Sequence, residues 1–244
     1  MVELRGLHKS WSVPVLRGVD LRLERGEVWG LIGPAASGKS VLLKVITGLI
    51  AADEGQVLVD GRDITRDGET ELMPTRRKFG MLFQNNALFD FMTVGDNVAF
   101  PLVRAGLLPE GEVRDRVAER LKAVGLAGSE NKMPNELSGG MRKRVGIARA
   151  TIASPPIVIY DEPTAGLDPV TTSKIYDLLR AIQDESHATV MAISSDITAL
   201  RTFVSRVAML HDGRLIYDGP ESSLDACEDP VVHQFIRGSL EGPL

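Results

Sequence analysis

The sequence predicts an α/β fold with a mainly parallel sheet, a phosphate-binding loop and an inserted helical segment. Three observations lead to this expectation. The apolar run Val28-Trp29-Gly30-Leu31-Ile32 leads through Gly33-Pro34-Ala35-Ala36-Ser37-Gly38-Lys39-Ser40 into Val41-Leu42-Leu43-Lys44-Val45-Ile46. This is strand, glycine-bounded loop and helix, with the G-x-x-x-x-G-K-S spacing of a phosphate-binding (Walker A) loop. Ile157-Val158-Ile159-Tyr160 and Thr189-Val190-Met191-Ala192-Ile193 are almost wholly apolar, which suits strands in a parallel sheet covered on both faces. Between loop and strands, residues 86–153 change to helical periodicity.

Bulk properties narrow the possible functions. A chain of 244 residues, 43% hydrophobic and 25% charged, can bury a full core. Its formal net charge of -5 argues against a dedicated nucleic-acid binder. One cysteine, Cys227, excludes an internal disulfide. No run approaches the ~18 apolar residues that span a bilayer. The opening Met1-Val2-Glu3-Leu4-Arg5 does not read as a signal peptide. The expectation is a cytosolic protein that reaches any membrane through a partner.

Residues 2–7 read as a strand, and Val19-Asp20-Leu21-Arg22-Leu23 alternates like a half-buried one. Trp11 and Pro14 fall in a polar connection between them. Trp11 is either a stacking platform for adenine or a cap on the edge of the core. Gln56-Val57-Leu58-Val59 followed by Asp60-Gly61 reads as a strand and tight turn. Residues 62–78 are charged, with room for a short helix, and the next strand delivers Gln84 near its end. Val113, Val117, Leu121 and Val124 recur at helical spacing. A further helix starts after Leu137-Ser138-Gly139-Gly140-Met141, with Met141, Val145, Ala148 and Ile152 on one face. Its Arg142, Lys143, Arg144 and Arg149 are most simply read as a solvated face, with a phosphate or partner role second. Residues 171–183 are helical, and 206–217 form a hairpin around Asp212-Gly213. The expected organisation is one domain: a core of about 1–85 and 154–220, a helical subdomain of about 86–153, and a polar tail, 221–244.

Two clusters carry chemistry. The loop's N–H groups and the positive end of its helix suit polyphosphate. Lys39 adds a cation at the β/γ-phosphates, and the Ser40 hydroxyl suits Mg²⁺. A second apolar strand ends in Asp161-Glu162. A carboxylate at a strand end can hold Mg²⁺ directly or through water, and a neighbouring Glu can accept a proton from the water attacking the γ-phosphate.

The ordered set of phosphate loop, Gln84, Leu137-Ser138-Gly139-Gly140-Met141, Tyr160-Asp161-Glu162-Pro163 and Ala165-Gly166-Leu167-Asp168-Pro169 resembles the ATP-binding subunits of ABC transporters. The resemblance covers nearly the whole chain, and the Ser-Gly-Gly signature is specific to that superfamily. It implies a RecA-like P-loop NTPase core with an N-terminal antiparallel β subdomain, and ATP and Mg²⁺ as cofactors. It also implies a head-to-tail homodimer, with each ATP held between one subunit's Gly33–Val41 loop and the other's Ser138, Gly139 and Gly140. Gln84 would report on Mg²⁺ and the γ-phosphate, and Asp168 would lie at the dimer seam. Trp11 falls at the family's adenine-stacking position.

Two positions depart from the family pattern. Ser195 stands where a His usually contacts the γ-phosphate, so hydrolysis through Glu162 is expected to be slower or more partner-dependent. Ala36 replaces a Gly or small polar residue, with little effect expected from its size. Phe83-Gln84-Asn85-Asn86-Ala87-Leu88-Phe89-Asp90, Met141-Arg142-Lys143-Arg144-Val145 and Tyr160 together resemble the Mla/Mce-type lipid transport ATPases. That family works with a permease at the cytoplasmic face of the inner membrane, an Mce-domain lipid-binding protein and, in some members, a STAS-domain subunit. The alternatives are an ATPase of an amino-acid or other small-solute importer, and a regulatory ATP-binding module with little hydrolysis. A P-loop kinase has no use for residues 137–141.

Overall fold

Residue-by-residue alternation decides the N-terminal sheet. In the computed structural model, which describes residues 1–106 and 108–244, the chain divides into two units. One comprises residues 1–78 and 189–244, the other residues 79–188.

The first unit begins with β1 (Val2–Ser10) and β2 (Pro14–Leu23), followed by β3 (Val28–Ile32), α1 (Lys39–Ile46), β4 (Glu54–Val59), β5 (Arg62–Asp63) and α2 (Glu69–Arg76). Strands β2, β1, β4 and β5 form an antiparallel sheet in that order, with Leu4 opposite both Leu21 and Val57. Val2, Leu4, Leu7, Val19, Leu21, Val57 and Val59 are all buried, each contributing about 1.5–3 kcal/mol on leaving water. The polar connection is shorter than expected. Pro14 belongs to β2 and pairs with Ser10, a strand-start position where its missing N–H costs no ladder bond.

After the other unit, the chain returns through β8 (Thr189–Ile193), α7 (Ile197–Arg201), β9 (Arg206–His211), β10 (Arg214–Pro220) and α8 (Pro230–Arg237). Strand β3 lies between β8 and β9, parallel to both, and β10 closes the hairpin antiparallel to β9. All five residues of β3 and all five of β8 are buried, as continuous apolar runs in a parallel sheet require. The 221–244 segment is more integrated than a polar tail, because Leu224 and Val232 are fully buried.

The second unit carries β6 (Phe79–Leu82), α3 (Val94–Ala105), α4 (Glu110–Ala123), α5 (Gly139–Thr151), β7 (Ile157–Asp161) and α6 (Pro169–Ser186). Strands β6 and β7 pair in parallel, and α3, α4 and α5 pack together. Leu107 lies within the expected helical subdomain but outside the described residues. Helix α5 is seated closely against β6. A Cβ on Gly80 would lie 2.0 Å from the Ala150 carbonyl oxygen, so no larger residue fits there.

Candidate functional site

The phosphate loop follows directly from β3. Gly33 has φ 144°, and a Cβ there would stand 2.0 Å from the Leu210 carbonyl oxygen. The loop therefore turns away from the strand only with glycine at that position. Gly38 precedes α1 in a left-handed conformation, and no side chain caps the helix. Ser37 is buried, while Ala35, Ala36 and Ser40 are exposed and Pro34, Lys39 and Val41 half-buried. The Lys39 ammonium donates to the Gly33 and Pro34 carbonyls, each at 2.7 Å, and so lies across the mouth of the loop. An uncapped helix start, a glycine turn and a centred ammonium fit a polyphosphate. Ala36 adds a feature that side-chain size does not reveal. Its φ is 61°, a left-handed conformation that costs an L-residue about 1–2 kcal/mol.

Trp11 is 57% exposed in the turn between β1 and β2, so it does not cap the core. The Lys9 ammonium lies 5.3 Å from the centre of its ring and pairs with Asp53 at 2.6 Å. The indole is held beside a fixed cation with much of its surface open. Ser195 is exposed after β8, between buried Ser194 and Asp196, which caps α7 by accepting from the Ala199 N–H.

In the other unit, β7 delivers Asp161 at its last position and Glu162 immediately after it, both half-buried. Glu162 has φ 51°, a left-handed backbone for a non-glycine residue. Such a conformation persists only where its surroundings enforce it. Gln84 follows β6 by two residues and is exposed, with Asn86 and Ala87 also left-handed (φ 59° and 47°). Ser138 caps α5 by accepting from the Met141 N–H, placing Ser138, Gly139 and Gly140 around that helix start. Asp168 is exposed and caps α6, accepting from the backbone and hydroxyl of Thr171. These hydrogen bonds hold its carboxyl below the usual carboxylate range.

Reading the basic residues of α5 as a solvated face fails for Lys143 and Arg149, while Arg142 and Arg144 are half-exposed. Lys143 and Arg149 are only 4% and 9% exposed. The Lys143 ammonium donates to the carbonyls of Gln84 (2.7 Å) and Glu162 (2.8 Å). Arg149 donates to the carbonyls of Asn86 (2.6 Å) and Ala87 (2.7 Å). Burial pulls both cations below their usual pKa. Helical periodicity classes cations as outward-facing, so the pattern carries no warning. The available signal is that α5 is small or apolar at nearly every other position from Val145 to Ala150, leaving little of its surface for water.

Among the described residues, no three His, Cys, Asp or Glu side chains cluster as a metal site. The expected Mg²⁺ donors, Ser40, Gln84 and Asp161, are one hydroxyl, one amide and one carboxylate. That mixed, sparse set fits an ion whose remaining ligands are water and phosphate oxygens.

Strand, glycine-bounded loop and helix define a P-loop nucleotide-binding protein. The ABC transporter family model matches residues 16–165, and the chain belongs to that family. It is the ATPase subunit of an ABC transporter, binding ATP with Mg²⁺ and coupling hydrolysis to transport. Among similar proteins is the probable ribonucleotide transport ATP-binding protein mkl of Mycobacterium leprae, 42% identical over all of this chain and 70% of its own. The methionine import ATP-binding protein MetN of Caulobacter vibrioides is 44% identical over 97% of this chain and 72% of its own. The intermembrane phospholipid transport system ATP-binding protein MlaF of Haemophilus influenzae is 34% identical over all of this chain and 93% of its own. Among solved structures, the dimeric post-hydrolysis state of the ATP-binding cassette MJ0796 bound to ADP and Pi is similar at TM-score 0.84. It is 35% identical, with 91% of this chain and 99% of that one covered.

Proposed function

We propose that the chain powers lipid transport, as a homodimeric ATPase docked through a permease on the cytoplasmic face of the inner membrane. The observation that carries the lipid reading is the run Met141-Arg142-Lys143-Arg144-Val145. It stands where sugar and amino-acid importers more often have a glutamine-rich segment, and its Lys143 is bonded to the Gln84 and Glu162 backbones. The likeness to MlaF over 93% of that protein supports the same reading. A small-solute importer is the second reading, favoured by the 44% identity to MetN and by the likeness to mkl, a probable ribonucleotide transport protein.

In the proposed mechanism, residues Gly33 to Val41 hold the ATP phosphates with their N–H groups and Lys39, while Trp11 stacks on adenine. Ser40, Gln84 and Asp161 would hold Mg²⁺, which would supply charge neutralisation at the phosphates. Glu162 accepts the proton of the attacking water. Ser138, Gly139 and Gly140 complete the partner's ATP site, and Asp168 lies at the seam between subunits. The dimeric assembly of MJ0796 supports this arrangement. Nucleotide then favours the closed dimer, and hydrolysis releases it. Among the described residues, no helix is long and apolar enough to cross a membrane, so contact with lipid falls to the permease and an Mce-domain protein, with a STAS-domain subunit in some assemblies.

Two experiments test this reading. Glu162→Gln should lower turnover at least about 100-fold while ATP affinity persists, and ATP should drive the variant into dimers on sedimentation. Unchanged turnover refutes Glu162 as base. For cargo, the co-purified membrane complex should have its ATPase stimulated by phospholipid and not by methionine or ribonucleotides. The reverse response overturns the lipid reading.

A further inference from the structure

We propose that Lys143 is a positioning residue for ATP hydrolysis, setting the backbones of Gln84 and Glu162 and fastening both to the helix that starts at the signature. The proposal rests on the roles given above to those two residues. One ammonium reaches two carbonyls from segments far apart in sequence, at 2.7 and 2.8 Å. It belongs to α5, whose capped start presents Ser138, Gly139 and Gly140. Loop, turn and signature therefore share a single tether.

The tether acts on Glu162 where its conformation is least favourable. With φ at 51°, Glu162 requires an external hold on its peptide. The Lys143 bond to its carbonyl fixes the peptide plane, and with it the direction in which the carboxylate leaves the backbone. Packing alone does not account for the ammonium. A methionine fills nearly the same space without desolvating a charge, whereas Lys143 is 4% exposed. An ammonium carries three donors, enough for two separate carbonyls. In the proposed dimer the signature serves one ATP and Glu162 the other, so Lys143 joins parts of two sites.

The test compares full-length Lys143→Met with wild type and with Lys143→Gln, whose amide restores two N–H donors. Misplacing a base by a fraction of an ångström should lower kcat of the Met variant by about 10- to 100-fold. Its KM for ATP should stay within about twofold of wild type. The Gln variant should recover at least about threefold over Met. Without nucleotide, amide exchange in the Met variant should rise around residues 84–87 and 162–165 and stay unchanged in α1. A Met variant turning over within about twofold of wild type overturns the proposal. So does a kcat loss matched by a rise in KM and by faster exchange throughout the chain, which marks a structural lysine. Glu162→Gln is assayed alongside. If Glu162→Gln is inactive while Lys143→Met is fully active, this proposal alone falls. If Glu162→Gln is active, the catalytic reading falls and this proposal with it.

Discussion

Replacing Arg149 with methionine isolates what a buried cation does for the Gln84 loop. Its guanidinium donates to the Asn86 and Ala87 carbonyls at 2.6 and 2.7 Å, and both residues have left-handed backbones. Hydrogen bonds to a charged donor contribute about 1.5–3 kcal/mol each, so the gross loss is about 3–6 kcal/mol. Part returns, because methionine carries no charge to desolvate and the carbonyl of the exposed Ala87 can recover water. The expected net destabilisation is about 2–3 kcal/mol, or a melting temperature about 4–12 °C lower for a chain of this size. Differential scanning calorimetry measures the shift, and limited proteolysis should show earlier cleavage around residues 84–90. A shift below about 1 °C would refute the argument, because water would then serve those carbonyls as well as the guanidinium does.

Ser195→His should raise turnover at least about threefold without altering ATP affinity, since imidazole reaches farther than a hydroxyl and can carry charge. Steady-state kinetics settles it, and unchanged turnover means that position 195 does not limit the rate. Asp60 accepts hydrogen bonds from Lys78 at 2.7 Å and Arg25 at 2.9 Å. Lys78 foremost, then the Met1 ammonium and Arg25, hold its carboxyl well below the usual value of 3.8. A depressed carboxylate contributes stability above its unfolded pKa and loses it as pH falls through that value and toward the folded one. Asp60→Asn should therefore cost about 1–2 kcal/mol at pH 7, allowing for partial solvent screening, with the melting-temperature gap to wild type narrowing below about pH 4. A gap independent of pH would contradict the ion-pair account.

Local signals make much of the fold legible. The G-x-x-x-x-G-K-S spacing, the apolar runs of β3, β7 and β8, and the Asp212-Gly213 turn each depend on neighbours in sequence. Pro14 misleads, because a proline suggests a connection whereas an unpaired strand start accommodates it. Side-chain size says little about Ala36, whose φ of 61° is a backbone property that the residue type conceals. The Asp161 and Glu162 carboxylates are visible from the strand they terminate, but the left-handed turn at Glu162 is not.

The residue types at the site are therefore determined by the sequence alone. Phosphate chemistry needs glycine, lysine, hydroxyl and carboxylate at short, regular spacings, and such spacings survive in one dimension. Only tertiary structure decides how the Gln84 loop and the Glu162 turn are held. Their supports are Lys143 and Arg149, which lie 59 and 63 residues from Gln84 and Asn86. A carbonyl accepts from whichever donor the fold brings near, and every residue has one, so no pattern of residue types marks the bond in advance.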